Sequence, residues 1–369
     1  MDLQTISLCM IVKNEEAIIG RCLDSVKDLV DEIVIVDTGS DDKTMEISKQ
    51  YTDYVYPFEW KDDFSLARNY SFSKATKDFI FWLDADDVML ENDRKKFKEL
   101  KERLNDSIDA VSMNYHLAFD DKNQVTHSLR RNRLVKRERK FKWIGAVHEY
   151  LEVYGNIVDS DVNITHKSVK TEKTDRNLKI YESLMAKGID FSPRDLYYYA
   201  NECFEHRLYD KAIQSYMKFL ESKRGWVEDC IATCGKLADI YLARGDHEKA
   251  VHYIVTSFEY DLPRADQCCR LGFIYLAQNQ IEKAIFWYDL ATRLNIDKIK
   301  QRGGLINYSC YTWLPHIQLC VCYDRLGEYL LAYEHNEKAR SYDPDNAYAK
   351  YNKSYLEEKL RQMGGNHAD

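Results

Sequence analysis

Proline is scarce in this sequence, with five in 369 residues, and no Gly/Ser-rich tract accompanies the 14 glycines. A chain so poor in breakers and linkers leaves little room for disorder or long flexible connections. No apolar stretch approaches the roughly 20 residues that span a bilayer. Met1-Asp-Leu-Gln lacks the basic and apolar regions of a signal peptide. Positive charge is also short: the net charge of −8 argues against a general nucleic-acid or anionic-membrane binder. The ten cysteines form no Cys-x-x-Cys knuckles, which speaks against a zinc ribbon. Cys230 and Cys234, four apart on an expected helix, and Cys320-Val-Cys322 are read as small hydrophobes. With no signal peptide, the expectation is a reduced, cytoplasmic protein.

What is present is ordinary in amount, 45% hydrophobic and 31% charged, and the length predicts two domains. The order of the first half is informative. Ile6–Val12 reads as a buried strand, and Lys13-Asn14-Glu15-Glu16 opens a helix with Ile18, Ile19, Leu23 and Val26 on its apolar face. A second strand, Glu32–Val36, runs into Asp37-Thr-Gly-Ser-Asp-Asp42, whose glycine and cap-type residues precede a helix starting near Lys43. Tyr54–Tyr56 is a third strand. The apolar run Phe79–Leu83 is a fourth, and it empties into Asp84, Asp86 and Asp87. Strand alternating with helix predicts an α/β fold, a mostly parallel sheet with helices on both faces. Asn14, Glu15, Asp37 and Asp84–Asp87 then gather at the carboxyl edge, where such sheets bind nucleotides.

Acids after strands also serve as helix caps, and the Asp-x-Asp pattern recurs in Asp159-Ser-Asp161 and Asp343-Pro-Asp345. Neither of those follows a strand-like run of five apolar residues. Gly-x-Gly-x-x-Gly and Gly-x-x-x-x-Gly-Lys loops are both missing. Phosphates would therefore be held by a cation and basic side chains rather than by glycine amides; carboxylates are the ligands such a cation takes.

Asn14-Glu15, Asp37-Thr-Gly-Ser-x-Asp42-x-Thr44 and Leu83-Asp-Ala-Asp-Asp87 together resemble the signatures of family 2, GT-A-fold glycosyltransferases over about residues 5–170. The resemblance implies sugar transfer from a UDP-sugar donor with inversion, assisted by Mn²⁺ or Mg²⁺. It implies that Val12, Asn14, Glu15 and Asp37 face the nucleoside, with Asp84 and Ala85 near the ribose. Asp86 would ligate the metal, and His166 would complete the metal site. Asp63-Phe-Ser-Leu-Ala-Arg68-Asn69 resembles a subgroup signature, making Arg68 a candidate diphosphate or uracil contact. Inverting transfer needs a base. Phe141–Glu149, ending in His148-Glu149, is the place to look: Glu149 is the first choice, with His148, Glu152 and Asp87 as alternatives. Residues 130–142 carry eight Lys or Arg against one acid, Glu138. Arg130, Arg131 and Arg133 either close over the diphosphate or belong to a solvated hairpin, the reading preferred here; no stacking-aromatic pattern supports nucleic acid.

From Asp195 the sequence turns helical with recurring landmarks. Ala200…Tyr209-x-x-Ala212-x-x-x-Tyr216 is echoed by Leu237-Ala238-x-x-Tyr241…Ala250, by Leu271-Gly272-x-x-Tyr275…Ala284-x-x-x-Tyr288, and by Leu319-Cys320-x-x-Tyr323…Ala332. Ala250 and Ala284 lie 34 residues apart, the tetratricopeptide period. The expected division is a GT-A domain over 1–171, a connection over 172–194 with its helix in 172–188, and tetratricopeptide repeats over 195–369. The largest insertion falls around 296–312, and a capping helix over 347–361. This fusion resembles bacterial glycosyltransferases that modify bacteriocin peptides, sublancin-type S-glycosyltransferases included. That implies a peptide or protein acceptor at Cys or Ser/Thr, with the repeats holding the acceptor or a homodimer. A cell-surface or spore glycan acceptor, and a noncatalytic scaffold, are the alternatives.

Overall fold

Ile6–Val12 forms β1, which is buried almost throughout because strands flank it on both sides. It pairs in parallel with β2 (Glu32–Asp37) and β4 (Phe79–Trp82), while β3 (Val55–Pro57) adds in parallel to β2. Alternate residues of β1 feed two cores. Leu8, Met10 and Val12 pack with α1 (Ile19–Asp24) and with Phe97 of α4 (Glu91–Arg103). Cys9 packs on the other side with Ile80 and with Phe72 of α3 (Phe64–Lys74). Helices cover both faces, as the alternation of elements requires.

The computed structural model describes residues 3–119, 125–168, 174–297, 299 and 306–365. By contacts the chain forms two compact units, Met1–Asp190 and Phe191–Asp369. In the first, the eight-stranded sheet has the order β3-β2-β1-β4-β7-β6-β10-β5. Its far half departs from the parallel expectation. β7 (Val125–Lys136) runs antiparallel to both β4 and β6 (Ala110–Phe119), and β5 (Asp87–Val88) antiparallel to β10 (Ile157–His166). The cause is local: β6 and β7 are consecutive and pair as a hairpin, which needs no helical crossover. Only part of that hairpin is solvated, because Arg133, Leu134 and Val135 are buried against β4. A small antiparallel ribbon, β8 (Lys142–Ile144) with β9 (Tyr150–Glu152), frames the loop 145–149. Residues 172 and 173 of the expected connection lie outside the described residues. Its helix is α5 (Arg176–Ala186), which packs within the first unit through Leu178, Ile180 and the fully buried Tyr181.

The second unit is helical. α6 (Pro193–Glu205) starts at a reciprocal Ser192/Asp195 capping box with Pro193 in its first turn. It pairs with α7 (Tyr209–Glu221). α8 (Val227–Ala243) pairs with α9 (His247–Thr256), and α10 (Ala265–Ala277) with α11 (Ile281–Arg293). α12 (Trp313–Arg325) pairs with α13 (Tyr329–Tyr342), and α14 (Ala347–Gly365) packs on α13. The repeated small residues Ala200, Ala212, Ala238, Ala250, Ala284 and Ala332 are fully buried between helices. Gly272 shows why size matters: a Cβ there would fall 2.7 Å from the Tyr288 ring. The insertion before α12 ends in a short 3₁₀ turn, Tyr308–Tyr311, and lies partly outside the described residues. All ten cysteines are free and buried. No described helix is long and apolar enough to cross a membrane.

Candidate active site

Three parallel strands end side by side, and their loops are laced together. Asn14, at a left-handed φ of 54°, accepts from the Asp41 amide at 2.9 Å, and its own amide donates to Ser40 Oγ at 2.9 Å. The Glu15 amide donates to Thr44 Oγ1 at 2.7 Å, and that of Glu16 to Asp42 Oδ2 at 3.1 Å. Asn14, expected to bind the nucleotide-sugar, is thus a staple between two loops; like Asp37 and Asp87 it does not line the cavity described below. Asp37 holds its own turn and is not the cap of the helix Thr44–Ser48, whose N-cap position is Lys43. Oδ2 accepts from the amides of Gly39 and Ser40 at 3.0 Å each, while Oδ1 is buried without a described donor.

At the end of β4 the acids diverge. Asp84 Oδ1 accepts from Arg68 Nη2 at 2.8 Å. Burial pushes the Asp84 pKa up, but Arg68 and Arg133 outweigh it and hold the carboxyl at about 2. Asp87 turns inward to pair with Arg133 at 2.9 Å, both side chains fully buried. The Arg133 guanidinium lies 4.0 Å from the Trp82 ring centroid and 4.5 Å from that of Tyr115. Asp87 also accepts the Asp84 amide at 3.0 Å, so it braces the turn. Asp87 does not line the cavity described below, so it is not placed to take an acceptor's proton, while its Oδ1 stays 4.0 Å from His166 Nδ1. Asp86 points the other way, 3.5 Å from His166 Nδ1. One ligand atom from each of Asp86, Asp87 and His166 lies within 4.8 Å of the others. Tyr115 closes the cluster, its hydroxyl 3.0 Å from His166 Nδ1.

Arg68 is buried rather than a free anion contact. Its Nε donates to Glu149 Oε1 at 2.5 Å while Nη2 holds Asp84. The Trp82 and Trp143 ring centroids lie 5.1 and 4.6 Å from its guanidinium. The rest of the Asp63–Asn69 segment has the same target. Asp63 caps α3 by accepting from the Leu66 amide at 3.0 Å, and the Phe64 amide donates to Ala146 O at 2.9 Å. Asn69 exchanges two hydrogen bonds with the Trp143 backbone at 2.9 and 3.0 Å. These two sequence segments are thus one constellation: α3 clamps the loop that presents His148 and Glu149. That loop turns through Gly145 at φ 101° and His148 at φ 51°, a conformation uncommon for a non-glycine residue. Tyr181 of α5 adds a long hydrogen bond, 3.4 Å, to Val147 O.

A cavity of about 400 Å³ joins these parts. Of the expected residues it brings together Val12, Glu15, Arg68, Asp84, Ala85, Asp86, His148, Glu149 and His166. Glu152 lies at the exposed end of β9 and does not line it. Sequence reasoning missed Trp60, Phe64, Tyr115, Arg176 and Asn177. Trp60 and Phe64, in edge contact at 4.8 Å, lie just before and inside the Asp63–Asn69 segment already singled out and were within reach. Tyr115 and α5 carried no local signal.

Residues 7–154 match the model of the family described as Glycosyl transferase family 2, and residues 231–262 and 265–295 match Tetratricopeptide repeat. A TPR repeat-containing protein of Synechococcus elongatus is 26% identical over 86% of this chain and 73% of its own length. The SPbeta prophage-derived glycosyltransferase SunS of Bacillus subtilis is 28% identical over 63% of this chain. The match spans 58% of SunS, somewhat over half its length. A crystal structure of S. aureus TarS is 13% identical with a TM-score of 0.35, covering 69% of this chain and 91% of that one. The strand-end acids and the clamped His148-Glu149 loop thus lie in the segment that matches family 2 glycosyltransferases, and the α8–α9 and α10–α11 hairpins in the segments that match tetratricopeptide repeats.

Proposed function

We propose that the first unit transfers a sugar, with inversion, from a UDP-sugar to a side chain of a peptide or protein. The observation that carries this reading is the placement of Asp86, His166 and the Arg68-held Glu149 around one cavity, with a buried Asp87 oxygen within 4.8 Å of the ligand atoms of Asp86 and His166. The donor set suits a divalent cation. Two carboxylates and an imidazole match Mn²⁺, or Mg²⁺ that keeps most of its waters. Asp87 Oδ1 is a buried oxygen without a described hydrogen-bond donor. A cation bound there would neutralise charge building on the leaving diphosphate.

The remaining work falls to this chain's side chains. Glu149 has Oε1 fixed by Arg68 and no described donor on Oε2. We assign Oε2 the acceptor's proton: the hydroxyl or thiol attacks the anomeric carbon, its proton passes to Glu149, and the bond to the nucleoside diphosphate breaks on the opposite face. Arg68 acts on Glu149 by positioning. Val12, Glu15 and Asp37 are assigned to the nucleoside, Val12 and Glu15 by lining the cavity and Asp37 through the turn its Oδ2 holds. The repeats are assigned the peptide, on the resemblance to peptide-modifying fusions. The test is incubation of the full chain with Mn²⁺, UDP-glucose or UDP-N-acetylglucosamine, and a Cys- and Ser-containing peptide library, read by mass spectrometry. A peptide gaining one sugar supports the reading. Transfer to a glycan but to no peptide overturns the acceptor assignment.

A further inference from the structure

Three arginines lie close together on β7, and the structure gives each a different fate. Arg130 Nη2 donates to the Ser112 and Ser160 carbonyls at 2.7 and 3.0 Å and pairs with Asp159 at 2.9 Å. Arg133 is sealed against Asp87. Arg131 lines the cavity, is exposed, and pairs with no described carboxylate. Its guanidinium lies 5.5 Å from the Tyr115 ring centroid, the ring whose hydroxyl touches His166. Its charge also acts on Asp84.

We infer that Arg131 is the protein's own counter-charge for the donor's diphosphate, an inference that rests on the donor-site reading above. A diphosphate gains negative charge as the glycosidic bond breaks, and one divalent cation does not neutralise all of it. A second positive group beside the cation is needed, and a guanidinium fits phosphate oxygens in pairs. The other cavity-lining cations fit less well. Arg68 is committed to Glu149 and Asp84. Arg176 stacks 4.7 Å from the Phe64 ring centroid at the start of α3, beside the clamped loop. Lys13 follows β1, at the nucleoside end. Of these groups only Arg131 stands on the aromatic ring that contacts the metal cluster.

Isothermal titration of the full chain with UDP and with uridine, in Mn²⁺, tests this. Arg131→Ala is expected to weaken UDP about tenfold to a hundredfold, the worth of one charge-assisted contact. Uridine affinity should hold within about twofold. Arg131→Lys should recover part of the UDP loss, and Arg130→Ala should leave the UDP-to-uridine ratio as in wild type. Unchanged UDP binding by a folded Arg131→Ala protein, or by Arg131→Gln should the alanine variant not fold, overturns the inference, as does an equal loss of uridine. A phosphate-specific loss in Arg176→Ala instead moves the role to α5 and also overturns it. Wild-type protein that binds none of UDP, GDP and dTDP overturns the donor-site reading itself, which separates the two failures.

Discussion

Both units bury carboxylates against arginines, yet they finish those networks differently. In the repeat unit Glu228 spends both oxygens on Arg264, at 2.6 and 2.9 Å, and Asp239 spends both on Arg270, at 2.7 and 2.8 Å. Each pair ties α8 to α10 or to the residue that precedes it. In the catalytic unit Arg68 takes one oxygen from Glu149 and one from Asp84, Asp37 leaves Oδ1 without a described donor, and Asp87 does the same. The same ion pair is a fastener where both oxygens are used, and under the proposed function it holds a reacting carboxylate where one is left over. Desolvating a carboxylate is costly unless its acceptor sites are filled. Among the described residues such half-filled oxygens occur on Asp37 and Asp87 at the sheet edge and on Asp324 in α12 of the repeats.

One substitution made in both regions tests the contrast. Glu149→Gln should lower sugar transfer on the order of a hundredfold to a thousandfold. UDP affinity should change little, because Asp84 still holds Arg68. Steady-state kinetics beside UDP titration would show it, and near-wild-type transfer would move the base elsewhere, with His148 next in line. Glu228→Gln should do the reverse. Breaking a buried pair costs about 3 kcal/mol, seen as a lower denaturation midpoint, with transfer per folded molecule unchanged. A kinetic loss matching that of Glu149→Gln would erase the distinction drawn here.

A smaller effect concerns two stacked imidazoles in the repeats, His316 and His335, with Nδ1 atoms 3.0 Å apart. Burial, then the neighbouring His335 and Lys338, pushes the His316 pKa down to about 4. Its folded pKa lies below the unfolded value of about 6.5, so the unfolded chain takes up a proton first on acidification. Stability from this group is present above about pH 6.5 and declines as pH falls toward 4. Urea midpoints for wild type and His316→Gln should converge as pH drops from 7 to 5; parallel curves would contradict the assignment.

Much of the site was legible because its chemistry is local to strand ends. The run Phe79–Leu83 fixed where Asp84 and Asp86 emerge, and His166 ends a strand that pairs with Asp87. What stayed hidden depends on pairing across the chain. That Asp87 faces inward follows from Arg133, 46 positions away, which the basic run 130–142 offered only as one cation among eight. Its antiparallel register on β4 selects which arginine is buried, and no local pattern shows that register. Arg68 likewise was identified but not its job, since its partner Glu149 comes from a separate hairpin. In the repeats, regular spacing of Ala, Leu and Tyr made the hairpins visible beyond the two segments matched by the repeat family, because each hairpin packs mainly on its neighbours.

The central claim is that Asp86 and its neighbours complete a metal-dependent nucleotide site. A thermal-shift titration with UDP, with and without Mn²⁺, on wild type and Asp86→Asn tests it most directly, because a ligand that binds the folded state raises the melting temperature by mass action. The account predicts a shift with UDP and Mn²⁺ together in wild type, lost in an Asp86→Asn protein whose unliganded melting temperature is unchanged. An equal shift in both proteins, or one in wild type that does not depend on Mn²⁺, would contradict it.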